Sequence, residues 1–158
     1  MSLPQGDLGL LESEVAQRLL ASTIPARLGY TGTDGKPRVV PIWFHWTGDE
    51  VVMASMGGAS KAAALRAEPH AAITIDTERF PNEVLLVRGQ ATVTDVDGIV
   101  PEYAQAARRY LGAEGAAQLL GQLDRPETRM HRIGVRPAWA GVLDFQKRWP
   151  RVLGGIHD

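Results

Sequence analysis

The sequence predicts a mainly β protein with helices, an α+β chain whose antiparallel strands close into a barrel. Three observations predict it. Strand-like segments follow one another through tight polar turns. Helical spacing is confined to the front of the chain, one short mid-chain crossover and a stretch before the last strands. No G-x-G-x-x-G follows a strand, which removes the main signal of a doubly wound dinucleotide fold.

Leu11, Val15 and Leu19 are spaced by four, so an amphipathic helix is predicted over residues 9–21. A short strand is expected over 26–31, and Thr33-Asp34-Gly35-Lys36 carries the Asp-Gly signature of a hairpin turn. The strongest strand is RVVPIWFHW, residues 38–46, turned by Thr47-Gly48-Asp49-Glu50 into a strand over 51–55. A helix over 60–67 precedes an antiparallel pair at 71–76 and 84–93. Val100, Tyr103, Ala104, Ala107 and Leu111 recur at helical spacing, with Pro101 in the first turn where proline is tolerated. They predict a helix over 99–111. A shorter helix follows over 116–123, then strands over 130–135 and 139–143.

The 158 residues suffice for one domain with a real core, read as a helix at 9–21, a barrel over about 25–143 and a C-terminal tail. Apolar residues at 44% and charged residues at 22% exclude disordered and fibrous classes. A net charge of -1 gives no electrostatic footprint for nucleic acid or an anionic membrane. The chain has no cysteine, so disulfides, thiol catalysis and cysteine-ligated metals are out. The four histidines show neither HxH nor HExxH spacing, so no metal site is expected. Without a basic and apolar leader, or an apolar run near the ~20 residues of a membrane span, a cytoplasmic protein is expected.

The most informative segment is SMGGASKAAALRAEP, residues 55–69. Gly57 and Gly58 let the backbone turn, Ser60 is the expected N-cap, and Lys61 adds charge to a helix start that is already partly positive. Free N–H groups, a hydroxyl and an ammonium converging there suit a phosphate; an ordinary capped surface helix is the plain alternative. The GxxxxGK[ST] spacing is absent, so ATP hydrolysis is not supported.

Four segments in this order carry a family resemblance: LGYTGTDGKPR (28–38), VVPIWF (39–44), VVMAS (51–55) running through the glycines to Ser60-Lys61 and LRAEP (65–69), and VRGQATV (87–93). Over roughly residues 20–140 the chain resembles the FMN-binding split β-barrel family, which includes pyridoxamine 5'-phosphate oxidase and the flavin- or deazaflavin (F420)-dependent reductases. The resemblance implies an antiparallel split barrel of FMN-binding type and a homodimer with cofactor sites at its interface. It implies that Arg38 and Lys61, assisted by Ser60, hold the cofactor phosphate. Val39, Val40, Pro41, Ile42 and Trp43 would run their main chain along the isoalloxazine edge, and Ala54 and Ser55 would lie beside the ribityl chain. The oxidase has lysine where this chain has Trp43, and Ser-Arg-Lys where it has Ala59-Ser60-Lys61. The reductase branch is therefore the closer likeness.

The implied activity is an FMN-dependent oxidoreductase acting on a small organic substrate, with F420 as the alternative cofactor. A non-catalytic flavin or haem binding protein is the alternative from another class. The cofactor's ring would carry the hydride chemistry, so no acid–base side chain is required and none is assigned. Trp43 is open between flavin stacking and an apolar packing role, Phe44 and Trp46 read as core or interface aromatics, and His45 could line the pocket or sit in a polar turn. Arg108-Arg109 reads as an exposed helix face, and Lys147-Arg148-Trp149 as a frayed tail or a cap over the ring.

Overall fold

In the computed structural model, residues 3–148 are described. Seven strands, β1 (Ala26–Thr31), β2 (Pro37–Ile42), β3 (Phe44–Trp46), β4 (Val51–Met56), β5 (His70–Asp76), β6 (Glu83–Asp97) and β7 (Arg129–Asp144), form one sheet. Every pairing is antiparallel, in the order β2-β1-β5-β6-β7-β4-β3. The predicted class holds: this is an α+β antiparallel split barrel.

The expectation of a barrel closed all round is corrected at one place. The single strand predicted over 38–46 is β2 and β3, parted by Trp43. These halves lie at opposite ends of the strand order, so the ladder is open between them and only the chain joins its two edges. The cause is aromatic. The Trp43 ring stacks on Tyr110 at 4.8 Å between centroids and 6° between planes, with Tyr103 at 6.2 Å. Phe44 turns the other way into the core, fully buried and edge-on to Tyr110. Such stacks add about 0.5–1.5 kcal/mol beyond burial.

Both tyrosines belong to α3 (Pro101–Leu123), which is broken at Gly112 by a positive φ of 76°. The two helices predicted at 99–111 and 116–123 are its halves. Arg109 corrects the exposed-face reading. Its Nε donates to the Ser22 carbonyl at 2.8 Å, and Nη2 donates to the Phe44 carbonyl, fixing α3 over the break. The helix predicted at 9–21 is a 3-10 turn (Leu8–Glu12) followed by α1 (Glu14–Leu20), divided by Ser13, whose Oγ accepts from the Ala16 N–H as an N-cap. Leu10, Leu11, Val15 and Leu19 from this pair join Leu28, Phe44, Leu65, Ile73, Leu85 and Ile133 in the core.

The strands predicted at 130–135 and 139–143 are one, β7, running straight through Pro137. A bulge makes this possible. Arg88 faces Trp139 and Gly89 faces Pro137, so Ala138 has no opposite number. Gly89 is required there, because a Cβ would stand 2.2 Å from the Arg136 carbonyl oxygen. From β7, Arg132 reaches Glu102 at the start of α3 (2.9 Å) and Glu50 at the foot of β4 (3.0 Å), a half-buried triad tying helix to sheet. Burial pushes the Glu102 carboxyl up, but hydrogen bonding and charge from Arg132 outweigh it and hold the group below the usual glutamate value.

Two outcomes follow from this geometry. Gly89→Ala should lower stability by about 1–3 kcal/mol in urea denaturation, since backbone must move to admit the methyl. The folded value of Glu102 lies below the unfolded one, so its contribution is complete above the ordinary glutamate range and lost as pH falls through the lowered value. Glu102→Gln should flatten that acid limb in a series of denaturation midpoints against pH.

Candidate functional site

Where β4 leaves the sheet, the chain makes a loop at Gly57-Gly58-Ala59 and enters α2 (Ser60–Ala67). Ala59 is the N-cap residue, extended at φ -67° and ψ 132°, and no side chain caps the helix. The expectation that Ser60 caps it is therefore corrected. Ser60 is already the first helical residue, and from that position its exposed hydroxyl makes no cap bond.

The backbone donors of this corner divide cleanly. Gly57 N–H donates to the Arg129 carbonyl (2.8 Å), Gly58 N–H to His131 Nε2 (3.2 Å) and Ala59 N–H to the Met56 carbonyl (3.2 Å). Among the described residues the next two N–H groups, of Ser60 and Lys61, have no acceptor. Two free donors thus stand at the positive end of a helix, an arrangement that suits an anion. Among the described residues, Lys61 has no acidic partner either.

Beside this corner opens a cleft of about 360 Å³. Pro41 and Ile42 of β2, Ala54 and Ser55 of β4, and Lys61 of α2 line it, so the structure brings together five of the ten residues expected at the site. Ser55 is 9% exposed and its hydroxyl finds no partner among the described residues. A buried hydroxyl left unpaired is costly, and Ser55 is one of the residues that line the cleft. Along one wall, β2 pairs with β1 only, so alternate main-chain groups on its other side face away from the ladder.

The other five lie elsewhere in this chain. Arg38 and Val39 line a separate groove of about 600 Å³ with Tyr30, Arg88 and Gln90. Arg38 is paired with Asp34 at 2.8 Å, and this hydrogen bond holds the Asp34 carboxyl below its ordinary value. Val40 packs against the core, Ser60 is exposed, and Trp43 has given a face to Tyr110. His45, half-buried on β3, is held below the usual histidine value by burial and by Arg109. Lys147 and Arg148 sit in the turn after β7, lining a different cleft with Ser13 and Glu14 of the α1 region; Trp149 lies outside the described residues. Sequence reasoning missed Tyr103, Met56, Ala59 and Met130 as lining residues of the site cleft. Tyr103 and Tyr110, seven apart on one face of α3, were the available signal for an aromatic wall.

The fold is an antiparallel split barrel whose cleft opens beside the start of α2. The family description "Pyridoxamine 5'-phosphate oxidase" matches residues 13–140, and the chain belongs to that family. Among solved structures, the chain is similar to an F420 reductase at 24% identity and TM-score 0.60, covering 78% of this chain and 93% of that one. It is similar to a conserved hypothetical protein from Mycobacterium tuberculosis at 18% identity and TM-score 0.66, covering 99% and 96%. It is also similar to a haem storage protein from Vibrio cholerae at 13% identity and TM-score 0.58, covering 80% and 90%. No curated protein matches the sequence. Among the described residues no helix is long and apolar enough to cross a membrane.

Because its hydroxyl caps nothing, Ser60→Ala should leave the thermal unfolding midpoint unchanged, in contrast to the ~1 kcal/mol expected of a lost cap.

Proposed function

We propose that the protein is a flavin-dependent oxidoreductase that binds FMN and acts on a small organic substrate. The observation carrying this reading is that Ser55, whose hydroxyl has no partner among the described residues, and Lys61, which has no acidic partner among them, line one cleft, with the free N–H groups of Ser60 and Lys61 at the helix start beside it. These groups suit a phosphate followed by a hydroxylated chain. Lys61 and the helix start hold the phosphate, Ser55 bonds a ribityl hydroxyl, and the free edge of β2 from Val39 to Ile42, with Trp43 just beyond it, offers N–H and C=O groups to the polar rim of the ring. Ala54, small and half-buried, leaves room beside the ribityl chain.

The bound cofactor supplies hydride transfer, and the chain's own part is to bind it, orient it and exclude water. Arg38 reaches the phosphate of a site completed by a second copy, so the working unit is a homodimer packed along β2. Val39, 69% exposed, is the apolar contact offered there. F420 is the second reading, supported by the likeness to the F420 reductase and by a phosphate corner that would serve either cofactor. Haem storage draws on the Vibrio cholerae likeness, but the histidine nearest the corner, His131, has both ring nitrogens engaged.

The test is an absorbance and fluorescence titration of the purified protein with FMN and, separately, with F420. Lys61→Ala should weaken binding of the phosphorylated cofactor by about 1.5–3 kcal/mol, the worth of a charge-assisted hydrogen bond. Ser55→Ala should weaken it without lowering the stability of the free protein, since the hydroxyl satisfies nothing there. Unchanged affinity in both variants overturns the assignment of this cleft.

A further inference from the structure

Of the two glycines that aim α2, Gly57 is packed against Arg129, whereas Gly58 stands in open space. A Cβ at Gly58 would meet nothing within 4 Å, and its φ of 82° is one that residues with side chains rarely adopt. Glycines keep the largest backbone freedom, so at Gly58 the loop depends on its hydrogen bond. Two of its three bonds are to main-chain carbonyls. The third is the only one made by a side chain among the described residues: Gly58 N–H to His131 Nε2.

His131 is itself held. Its side chain is 14% exposed, and Nδ1 lies 2.6 Å from Asp95 Oδ1. Since Nε2 accepts from Gly58, the ring's proton is on Nδ1 and is donated to Asp95. The same Asp95 oxygen accepts from Arg66 Nη2 at 2.7 Å, and Arg66 stands in the last turn of α2. The chain Gly58–His131–Asp95–Arg66 therefore grips α2 at both ends, through strands β7 and β6.

We propose that His131 is a positioning residue for the phosphate corner. It takes no part in contact with the cofactor; by accepting the Gly58 N–H in a single tautomer, set by Asp95, it fixes the direction in which the Ser60 and Lys61 N–H groups point. It thereby makes the site selective for a phosphorylated ligand over the same ring without phosphate. This rests on the reading of the α2 corner as the phosphate site.

The experiment compares dissociation constants for FMN and riboflavin, and for F420 and its phosphate-free deazaflavin chromophore, in wild type, His131→Ala, His131→Gln and Asp95→Ala. Unfolding midpoints of the free proteins are recorded alongside. In His131→Ala the phosphorylated ligand should bind about 5- to 10-fold more weakly, the worth of one hydrogen bond, with the phosphate-free ligand unchanged. His131→Gln, whose amide can accept from Gly58 and donate to Asp95, should restore most of the loss. Asp95→Ala, at a residue 70% exposed and so without risk to the core, should shift the same ratio in the same direction. An equal loss for both ligands, or none, overturns the proposal. Wild-type protein without any preference for the phosphorylated ligands overturns the phosphate site itself, whereas a preference that survives intact in His131→Ala removes only His131.

Discussion

The architecture depends on Trp43 leaving the sheet. A single stretch, residues 37–46, serves both ends of a seven-stranded ladder, and a regular strand could not do so without closing the ring by hydrogen bonds. Stacking on Tyr110, with Arg109 pinned to the Phe44 carbonyl beside it, makes the interruption stable. Because the ladder stops there, β2 keeps one edge free, and the end of β2 comes beside the end of β4 and the start of α2. The cleft is thus a by-product of the break: Pro41 and Ile42 come from one lip, Ser55 and Lys61 from the other, and Tyr103 from the helix that holds the break open.

The electrostatics sharpen this picture. Arg38 and Lys61 look equivalent as cations in the sequence, but in the folded chain they differ. Arg38 is answered by Asp34 four residues earlier, across its own hairpin turn. Lys61 has no carboxylate to answer it among the described residues, and the adjacent backbone donors are equally unanswered. Unmatched positive potential in a recess is a standing invitation to an anion, whereas a paired surface arginine contributes little until a competing partner displaces its carboxylate.

Much of this was legible in the sequence, and the failures have definite causes. Strand propensity and polar turns marked the ground of all seven strands, though β2 and β3 were read as one and β7 as two, and the glycine loop with its following helix was found in place. What a linear reading could not see were effects of contact at a distance. The strand over 38–46 is unbroken in propensity, and only Tyr110 splits it. Two strands were expected over 130–143 where there is one, because the bulge that carries β7 through Pro137 depends on Gly89, nearly fifty residues earlier. Ser60 has the chemistry of a cap, but Ala59 takes that position because the chain is still extended there. At the cleft, the helix start drew attention to Lys61 and the family resemblance to Ser55, while Tyr103 and His131 arrive from α3 and β7 and left no local trace.

The strand order carries a consequence for how the molecule comes into being. β7, the last strand, lies between β6 and β4. A nascent chain emerging from its N-terminus can first assemble only two fragments, β2-β1-β5-β6 and β4-β3, each with a bare rim. The keystone that unites them is made last, after the excursion through α3. Any translation product stopped short of residue 129 would present those rims to its neighbours.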